Sequence, residues 1–139
     1  MTVELRRQVT PTGPAPMALT LHIRSHELIA DGSVAEGGTD AGPNPHDFYD
    51  AALGACKTLT VLWYARKKGI AVADIHTVIE RDASAERNGV YRLAARLQIS
   101  GDLTDAQLQE LGTVAGKCPV HKLLTQVTTE ISTHVERSS

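Results

Sequence analysis

The stretch from Pro45 to Gly69 constrains the fold most, because it predicts one long helix with an unusual distribution of apolar residues. Between Ala51 and Lys68 the only helix breaker is Gly54, and Gly69 is a good C-terminal cap. Apolar residues go nearly all the way round this helix and leave only a thin polar stripe. Such a helix is buried on several sides, and another subunit is one candidate for its cover.

Strand patterns precede and follow this helix. In the first third of the chain, alternation of apolar residues predicts two or three strands in a meander. The apolar positions are Val3, Leu5, Val9, Leu19, Leu21 and Ile23. After the long helix, alternating segments at Ile75–Ile79 and Tyr91–Ile99 are joined by Asn88-Gly89, a pair typical of hairpin turns. The chain is therefore expected to form a meander before the helix and a hairpin after it.

Two shorter helices and a last strand complete the pattern. Thr104 and Gln107 form a capping box that starts a second helix. Its inward stripe is expected at three positions, Leu108, Leu111 and Ala115. A third helix starts at Pro119, and alternation from Val127 to Val135 predicts a final strand. Elements in this order indicate an α+β fold, and the length of 139 residues fits a single domain, residues 1–139.

Residues 31–45, between the meander and the long helix, are rich in glycine, proline and small polar residues. This composition predicts a loop, and a long one for so small a domain. Long loops inside compact domains are often functional, but a tolerated insertion is about as common. The sequence leaves both interpretations open.

The charge balance and the hydropathy pattern exclude several classes of partner. Fourteen basic and sixteen acidic residues give a formal net charge of −2, and no lysine and arginine run forms a nucleic-acid footprint. No apolar stretch approaches the roughly 20 residues of a membrane span. The first residues also lack the apolar core of a signal peptide. We therefore expect a cytoplasmic protein that binds neither nucleic acid nor membrane.

The two cysteines, Cys56 and Cys118, are the only ones in the chain. In a reducing compartment, two cysteines more often mean free thiols, metal ligands or a transient redox pair than a lasting disulfide. Metal binding is the weakest of these, because neither cysteine has a second ligand at a zinc-type spacing. We expect no metal site.

Each cysteine has a local setting that suits a thiol. Cys56 ends a small-residue stretch, residues 51–56, that permits close approach, although a buried helical cysteine is ordinarily a small core residue. Cys118 directly precedes Pro119, and proline is favoured at the first position of a helix. Cys118 is therefore expected to cap a helix, where exposed N–H groups and the helix dipole stabilise a thiolate.

Three segments, in this order, resemble the OsmC/Ohr family of bacterial thiol peroxidases. They are GGTDAGPNP at residues 37–45, AALGAC at residues 51–56 and KCPVHKLL at residues 117–124. The resemblance runs from about Leu28 to Thr133 and is closest to the short, OsmC-like redox proteins. It implies an intertwined homodimer, in which a strand meander and C-terminal strands surround long central helices and two sites lie at the subunit interface.

The resemblance also implies a chemistry. By position, Cys56 matches the family's peroxidatic cysteine and Cys118 its resolving cysteine. The implied reaction is the reduction of organic hydroperoxides through a sulfenic acid on Cys56 and a disulfide with Cys118. An external dithiol then reduces the disulfide, and no metal, haem or other cofactor is needed.

The chain departs from the family pattern around the peroxidatic cysteine. The better-known enzymes activate this thiol with an arginine, oriented by a glutamate after the proline that opens the first helix. Here His46 occupies the glutamate position, with Asp47 beside it, and both are candidate site residues. The arginine is absent from the family's loop positions, and the candidates on neighbouring strands are Arg6, Arg7 and Arg24. The alternative function is a non-enzymatic protein that binds a small apolar ligand at the dimer interface.

Overall fold

The computed structural model describes residues 1–138, which contain five strands and three α-helices. Their order is β1 (Val3–Thr10), β2 (Gly13–Ile23), β3 (His26–Ala30), α1 (Pro45–Lys68), β4 (Ala71–Asp82), β5 (Arg92–Asp102), α2 (Asp105–Ala115) and α3 (Pro119–Gln126). This order confirms the α+β class. The chain divides into two compact units, Met1–Ala51 and Ala52–Ser139. A single domain over residues 1–139 stays a prediction.

The first unit contains the predicted meander. Strands β1, β2 and β3 form an antiparallel sheet in that order. Val3 pairs with Ile23 at one end of the β1–β2 ladder, and the register shifts between Arg7 and Val9. A bulge of this kind bends a strand locally and increases its twist.

The loop after β3 is organised by the buried carboxylate of Asp31. One oxygen accepts the N–H of Gly32 at 2.7 Å. The other accepts the N–H of Ala41 at 3.1 Å and both the N–H and the hydroxyl of Thr39, at 3.2 and 2.8 Å. The Ala41 N–H, followed by the Thr39 hydroxyl, lowers the pKa of Asp31 below its usual value, because these donors stabilise the charged carboxylate. The loop therefore folds around a fixed negative charge.

We predict that Asp31→Asn lowers the melting temperature at neutral pH and removes part of its pH dependence. The folded-state pKa of Asp31 is depressed, so its contribution to stability is complete above the usual value of 3.8 and is lost as the pH falls through the folded value. The difference in melting temperature between Asp31→Asn and the wild type should therefore become smaller as the pH falls. Thermal melts from about pH 7 down to about pH 2 measure this. Asp40→Asn is the control, since Asp40 is an exposed residue of the same loop whose positive φ asparagine tolerates. Equal melting temperatures of Asp31→Asn and wild type at pH 7 would contradict the prediction.

The second unit contains the predicted hairpin. Strands β4 and β5 pair antiparallel, with Ile75 opposite Ile99 and Ile79 opposite Ala95. The connection between them includes a 3₁₀ turn at Glu86–Asn88, and Gly89 follows it with a φ of +84°. A left-handed conformation of this kind is easiest for glycine. The Asn88-Gly89 pair therefore lies in a connection longer than a two-residue turn.

Helices α1 and α2 begin or end as the sequence predicts. At the end of α1, Gly69 has a φ of +70° and the N–H of Ile70 returns to the carbonyl of Ala65 at 2.9 Å. At the start of α2, Thr104 and Gln107 form the expected reciprocal capping box. Among residues 1–138, no helix combines the length and the apolar character needed to cross a membrane.

The core of the second unit lies between α1, α2 and the hairpin. Its buried residues are Val61, Ala65, Ile70, Leu111 and Ala115, with half-buried Tyr64, Val72, Ile75, Leu97, Ile99 and Leu103 packed against them. The expected inward stripe of α2 is confirmed for Leu111 and Ala115. It is wrong for Leu108, which remains 45% exposed and borders an open groove.

The strand expected from Val127 to Val135 is wrong for this chain. Residues 127–138 contain neither helix nor strand, although the backbone of Val127 is extended. A strand needs a neighbour for its ladder, and within residues 1–138 none pairs with this segment. The alternating apolar side chains are consequently exposed, Ile131 by 82% and Val135 by 87%.

Candidate functional site

Helix α3 begins as the sequence predicts, with Cys118 at the N-cap and Pro119 at the first helical position. A helix start leaves its first N–H groups without helical partners. Pro119 has no N–H group, and the N–H of Lys122 donates to the carbonyl of Cys118 at 3.2 Å. The N–H groups of Val120 and His121 remain, and they point to the site.

The two cysteine sulfurs accept these two N–H groups. Val120 donates to Sγ of Cys56 at 3.4 Å, and His121 donates to Sγ of Cys118 at 3.4 Å. Because the two amides are consecutive, sulfurs that are 62 positions apart in sequence meet at one helix turn. Both cysteines are free thiols. Cys118 is fully buried, whereas Cys56 is half-buried.

This arrangement suits a reactive thiol. Main-chain N–H groups and the positive end of a helix dipole favour the charged form of a sulfur that they face. Of the two sulfurs, that of Cys56 is the more accessible and that of Cys118 is buried. Within residues 1–138, no three His, Cys, Asp or Glu side chains are grouped closely enough to hold a metal ion.

Close packing of α1 on β4 fixes the position of Cys56. A Cβ atom added to Gly54, two residues before Cys56, would meet Cγ1 of Ile79 at 2.9 Å. One turn further, the hydroxyl of Thr58 donates to the carbonyl of Gly54 at 2.8 Å and lies 2.6 Å from the hydroxyl of Thr77. Glycine at position 54 thus allows the helix to lie directly on the strand.

The sequence interpretation missed two polar residues at this site, Lys57 and His121. Lys57 is buried, and its Nζ donates to the carbonyl of Ala115 at 2.9 Å and lies 3.0 Å from Nδ1 of His121. A signal was present, since Lys57 is the one charge in the middle of an apolar helix. His121, three residues after Cys118, gave no signal that distinguishes it from an ordinary surface histidine.

His46 and Asp47 lie in the first unit, whereas both cysteines lie in the second. Asp47 takes part in a reciprocal cap at the start of α1. Its Oδ2 accepts the N–H of Asn44 at 3.0 Å, and its own N–H donates to Oδ1 of Asn44 at 2.9 Å. His46 is exposed in the first turn of the same helix. A catalytic role for either residue stays a prediction.

Arg7, one of the three candidate arginines, makes hydrogen bonds within the first sheet. Nε of Arg7 donates to the carbonyl of Ala15 at 2.7 Å, and its Nη2 donates to the carbonyl of Pro16 at 3.3 Å. These bonds tie the side chain to the neighbouring strand β2. They give Arg7 a structural role within the first sheet.

Comparison with known families decides the identity of the fold. The family model described as OsmC-like protein matches residues 37–133, a segment that contains both cysteines. The chain belongs to this family. The resemblance inferred from the three motifs is therefore confirmed. Among curated proteins, none matches the chain.

Solved structures have the same fold at low sequence identity. A protein of Psychrobacter arcticus, named for osmotic stress induction and a detoxification response, has a TM-score of 0.70 at 20% identity, covering 88% of this chain and 86% of its own. An organic hydroperoxide resistance protein OsmC of Legionella pneumophila has a TM-score of 0.62 at 19% identity, with coverages of 91% and 90%. The organic hydroperoxide resistance protein OhrB of Bacillus subtilis has a TM-score of 0.56 at 21% identity, with coverages of 91% and 92%.

We predict opposite effects for the same substitution at two helical glycines of the second unit. Gly112→Ala in α2 should stabilise the protein by roughly 1 kcal/mol, since no atom lies within 4 Å of the added Cβ. Gly54→Ala in α1 should instead destabilise it by about 1–3 kcal/mol, because the added Cβ collides with Ile79. Urea unfolding measures both. Adding Ile79→Ala to Gly54→Ala should relieve the collision, and a Gly54→Ala variant as stable as Gly112→Ala would show that the close packing is absent.

Proposed function

We propose that this protein is a thiol-dependent peroxidase that reduces organic hydroperoxides through Cys56 and Cys118. The observation that carries the proposal is the pair of sulfurs held by consecutive N–H groups of α3. A half-buried thiol beside a fully buried one matches the division of labour between a peroxidatic and a resolving cysteine. The family membership and the names of the Legionella and Bacillus structures agree with this chemistry.

The reaction runs in three balanced steps. The Cys56 thiolate attacks the terminal oxygen of the hydroperoxide, the O–O bond breaks, and the alkoxide takes a proton to leave as an alcohol. Cys56 is then a sulfenic acid. The Cys118 thiol displaces water from it and forms a disulfide, and an external dithiol reduces the disulfide while it is itself oxidised.

Apolar side chains near Cys56 support an organic rather than an inorganic peroxide. On α1, exposed Ala52, Ala55 and Leu59 lie one turn or less from Cys56. An alkyl tail gains free energy by leaving water for such a surface, whereas hydrogen peroxide has no tail to bury. The preferred substrate is therefore a hydroperoxide with an apolar substituent.

The second part of the proposal is a homodimer. Helix α1 has an inner apolar face in the core and a second apolar face that is exposed, formed by Ala52, Ala55, Leu59, Leu62 and Trp63. Leu59 is 64% and Trp63 is 62% exposed, and a contiguous apolar helix face of this kind is typical of a subunit interface. The unpaired segment at residues 127–138 is a second element that another chain can complete. We propose a cytoplasmic homodimer, since a reducing compartment keeps both thiols free.

We predict that Cys56→Ser abolishes the consumption of an alkyl hydroperoxide in the presence of a dithiol. Cys118→Ser should retain the first step and accumulate a sulfenic acid or its overoxidised products, because no resolving thiol remains. Turnover in a coupled assay and intact mass after stoichiometric peroxide measure the two effects. In the wild type, the intact mass should fall by two hydrogen atoms as the disulfide forms.

Two outcomes would contradict the assignment. Full turnover by Cys56→Ser would exclude it as the peroxidatic residue. Cysteines that stay reduced under mild peroxide in the wild type would favour the alternative, a protein that binds a small apolar ligand at the subunit interface. Thr125→Ser, a comparably small change at an exposed position on α3, is the control and should leave turnover unchanged.

We predict that Leu59→Glu dissociates the homodimer. A carboxylate in the apolar face of α1 would be buried without a partner in the dimer, and that desolvation cost favours the separated chains. Sedimentation or light scattering should give the mass of one chain for the variant and of two chains for the wild type. The control is Val90→Glu, which makes the same kind of change at an exposed apolar residue outside the helices. A wild-type protein with the mass of one chain would contradict the dimer itself.

A further inference from the structure

Lys57 is the only lysine or arginine among the buried residues of the described chain, with 6% of its surface exposed. Removing an ammonium group from water is costly unless polar groups replace the water. Few polar groups surround Lys57, because this residue borders a groove of about 440 Å³ whose other side chains are apolar. They are Ala95, Leu97 and Ile99 of β5 and Leu108, Leu111 and Ala115 of α2. A buried cation in such surroundings requires a specific explanation.

The two hydrogen-bond partners of Lys57 flank one of the thiols. Ala115, whose carbonyl accepts the first bond, lies three residues before Cys118, and His121, whose Nδ1 is the second partner, lies three residues after it. Ala115 is also the last residue of α2, where the negative end of the helix dipole favours a cation. The ammonium group therefore joins the end of α2 to the start of α3 across the turn that carries Cys118.

Lys57 is also connected to both cysteines through its neighbours in sequence and in space. Lys57 follows Cys56 directly on α1, and its partner His121 donates its own N–H to Sγ of Cys118. A protonated lysine donates and cannot accept, so Nδ1 of His121 is the acceptor and the imidazole proton lies on Nε2. In this arrangement the positive charge lies on Lys57.

We propose that Lys57 is the positioning residue of the thiol pair: its ammonium group fixes the α2–α3 turn that carries Cys118 and supplies the positive charge that favours the thiolate. A family arginine is absent from the expected loop positions, and Lys57 approaches the Cys118 turn from a different element, α1. Lys57 serves turnover only if the proposed peroxidase function holds, whereas its effect on thiol reactivity does not depend on that function.

The pH dependence of alkylation tests this role, because a thiolate reacts with iodoacetamide and a thiol does not. The groups to consider are His121 and Cys118 from the start of α3, Cys56 from α1, and the exposed Lys117 and Lys122 on either side. The lining side chains from β5 and α2 do not titrate. Reaction at Cys56 is followed by peptide mass spectrometry on the reduced, full-length protein.

Lys57→Met should slow alkylation of Cys56 at pH 7 about tenfold and move its pH profile to higher pH, because the variant loses the positive charge that favours the thiolate. The matched control is Lys122→Met, which removes an exposed positive charge one residue after His121 and should change the rate less than about twofold. Lys57→Arg keeps the charge and should retain most of the wild-type rate.

An unshifted profile in folded Lys57→Met overturns the proposal, and so does an equal shift in Lys122→Met. If Lys57→Met does not fold, Lys57→Gln replaces it, because glutamine keeps a donor for Ala115 but has no charge. If neither variant folds, Lys57→Arg is the test. An alkylation profile of Lys57→Arg that differs from that of the wild type overturns the role of the charge. The two proposals can fail separately. If the wild type shows no peroxidase turnover but Lys57→Met still shifts the alkylation profile, the proposed function is wrong and the role of Lys57 stands.

Discussion

The first turn of α3 is the constraint on which the candidate site depends. A helix start needs acceptors for its first N–H groups, and here the N–H groups of Val120 and His121 donate to sulfur atoms. A neutral thiol is a weak acceptor, whereas a thiolate accepts strongly. This turn is therefore better satisfied when one of the sulfurs is charged. The requirement to cap a helix and the requirement to activate a nucleophile favour the same state of Cys56 and Cys118.

The remainder of the second unit holds this turn against α1. Leu111 and Ala115 anchor α2 in the core, so the chain enters α3 from a fixed point. On the opposite side, Gly54 lets α1 approach β4 closely, which sets the height of Cys56 above the sheet. Lys57 then spans the gap between α1 and the α2–α3 turn with two hydrogen bonds. Rigid packing on both sides is what keeps two sulfurs at hydrogen-bond distance from neighbouring amides.

Local signals explain which parts of this arrangement the sequence could predict. Capping and breaker residues act within a few positions, so the bounds of α1, the Thr104 cap and the Cys118 N-cap were predictable from Gly69, Pro119 and their neighbours. The bond between Lys57 and His121 joins residues 64 positions apart, and no local pattern encodes it. The family motifs paired the two cysteines, but they did not indicate which polar groups would surround them.

The prediction of a final strand was wrong for a related reason. Alternation from Val127 to Val135 encodes a strand that needs a ladder partner, but it does not say in which chain that partner lies. The outer face of α1 poses the same question, because Leu59 and Trp63 are apolar and exposed in the single chain. The sequence thus predicted the helical state of α1 correctly and the strand at residues 127–135 wrongly, and both segments expose apolar side chains in the structure of one chain.

Covering the outer face of α1 would change the electrostatics of the thiols as well as the stability of the protein. Cys56 lies between the inner face, which contains Lys57, and the outer face, which contains Ala55 and Leu59. In the proposed homodimer, a second chain on the outer face would displace water from this border. Desolvation disfavours a thiolate, but it also strengthens the interaction of the thiolate with every fixed charge and dipole that faces the sulfur. With the proposed role of Lys57, the thiolate gains from a drier site because the N–H groups of α3 and the ammonium group are already in place. Without them, the same burial would favour the unreactive thiol.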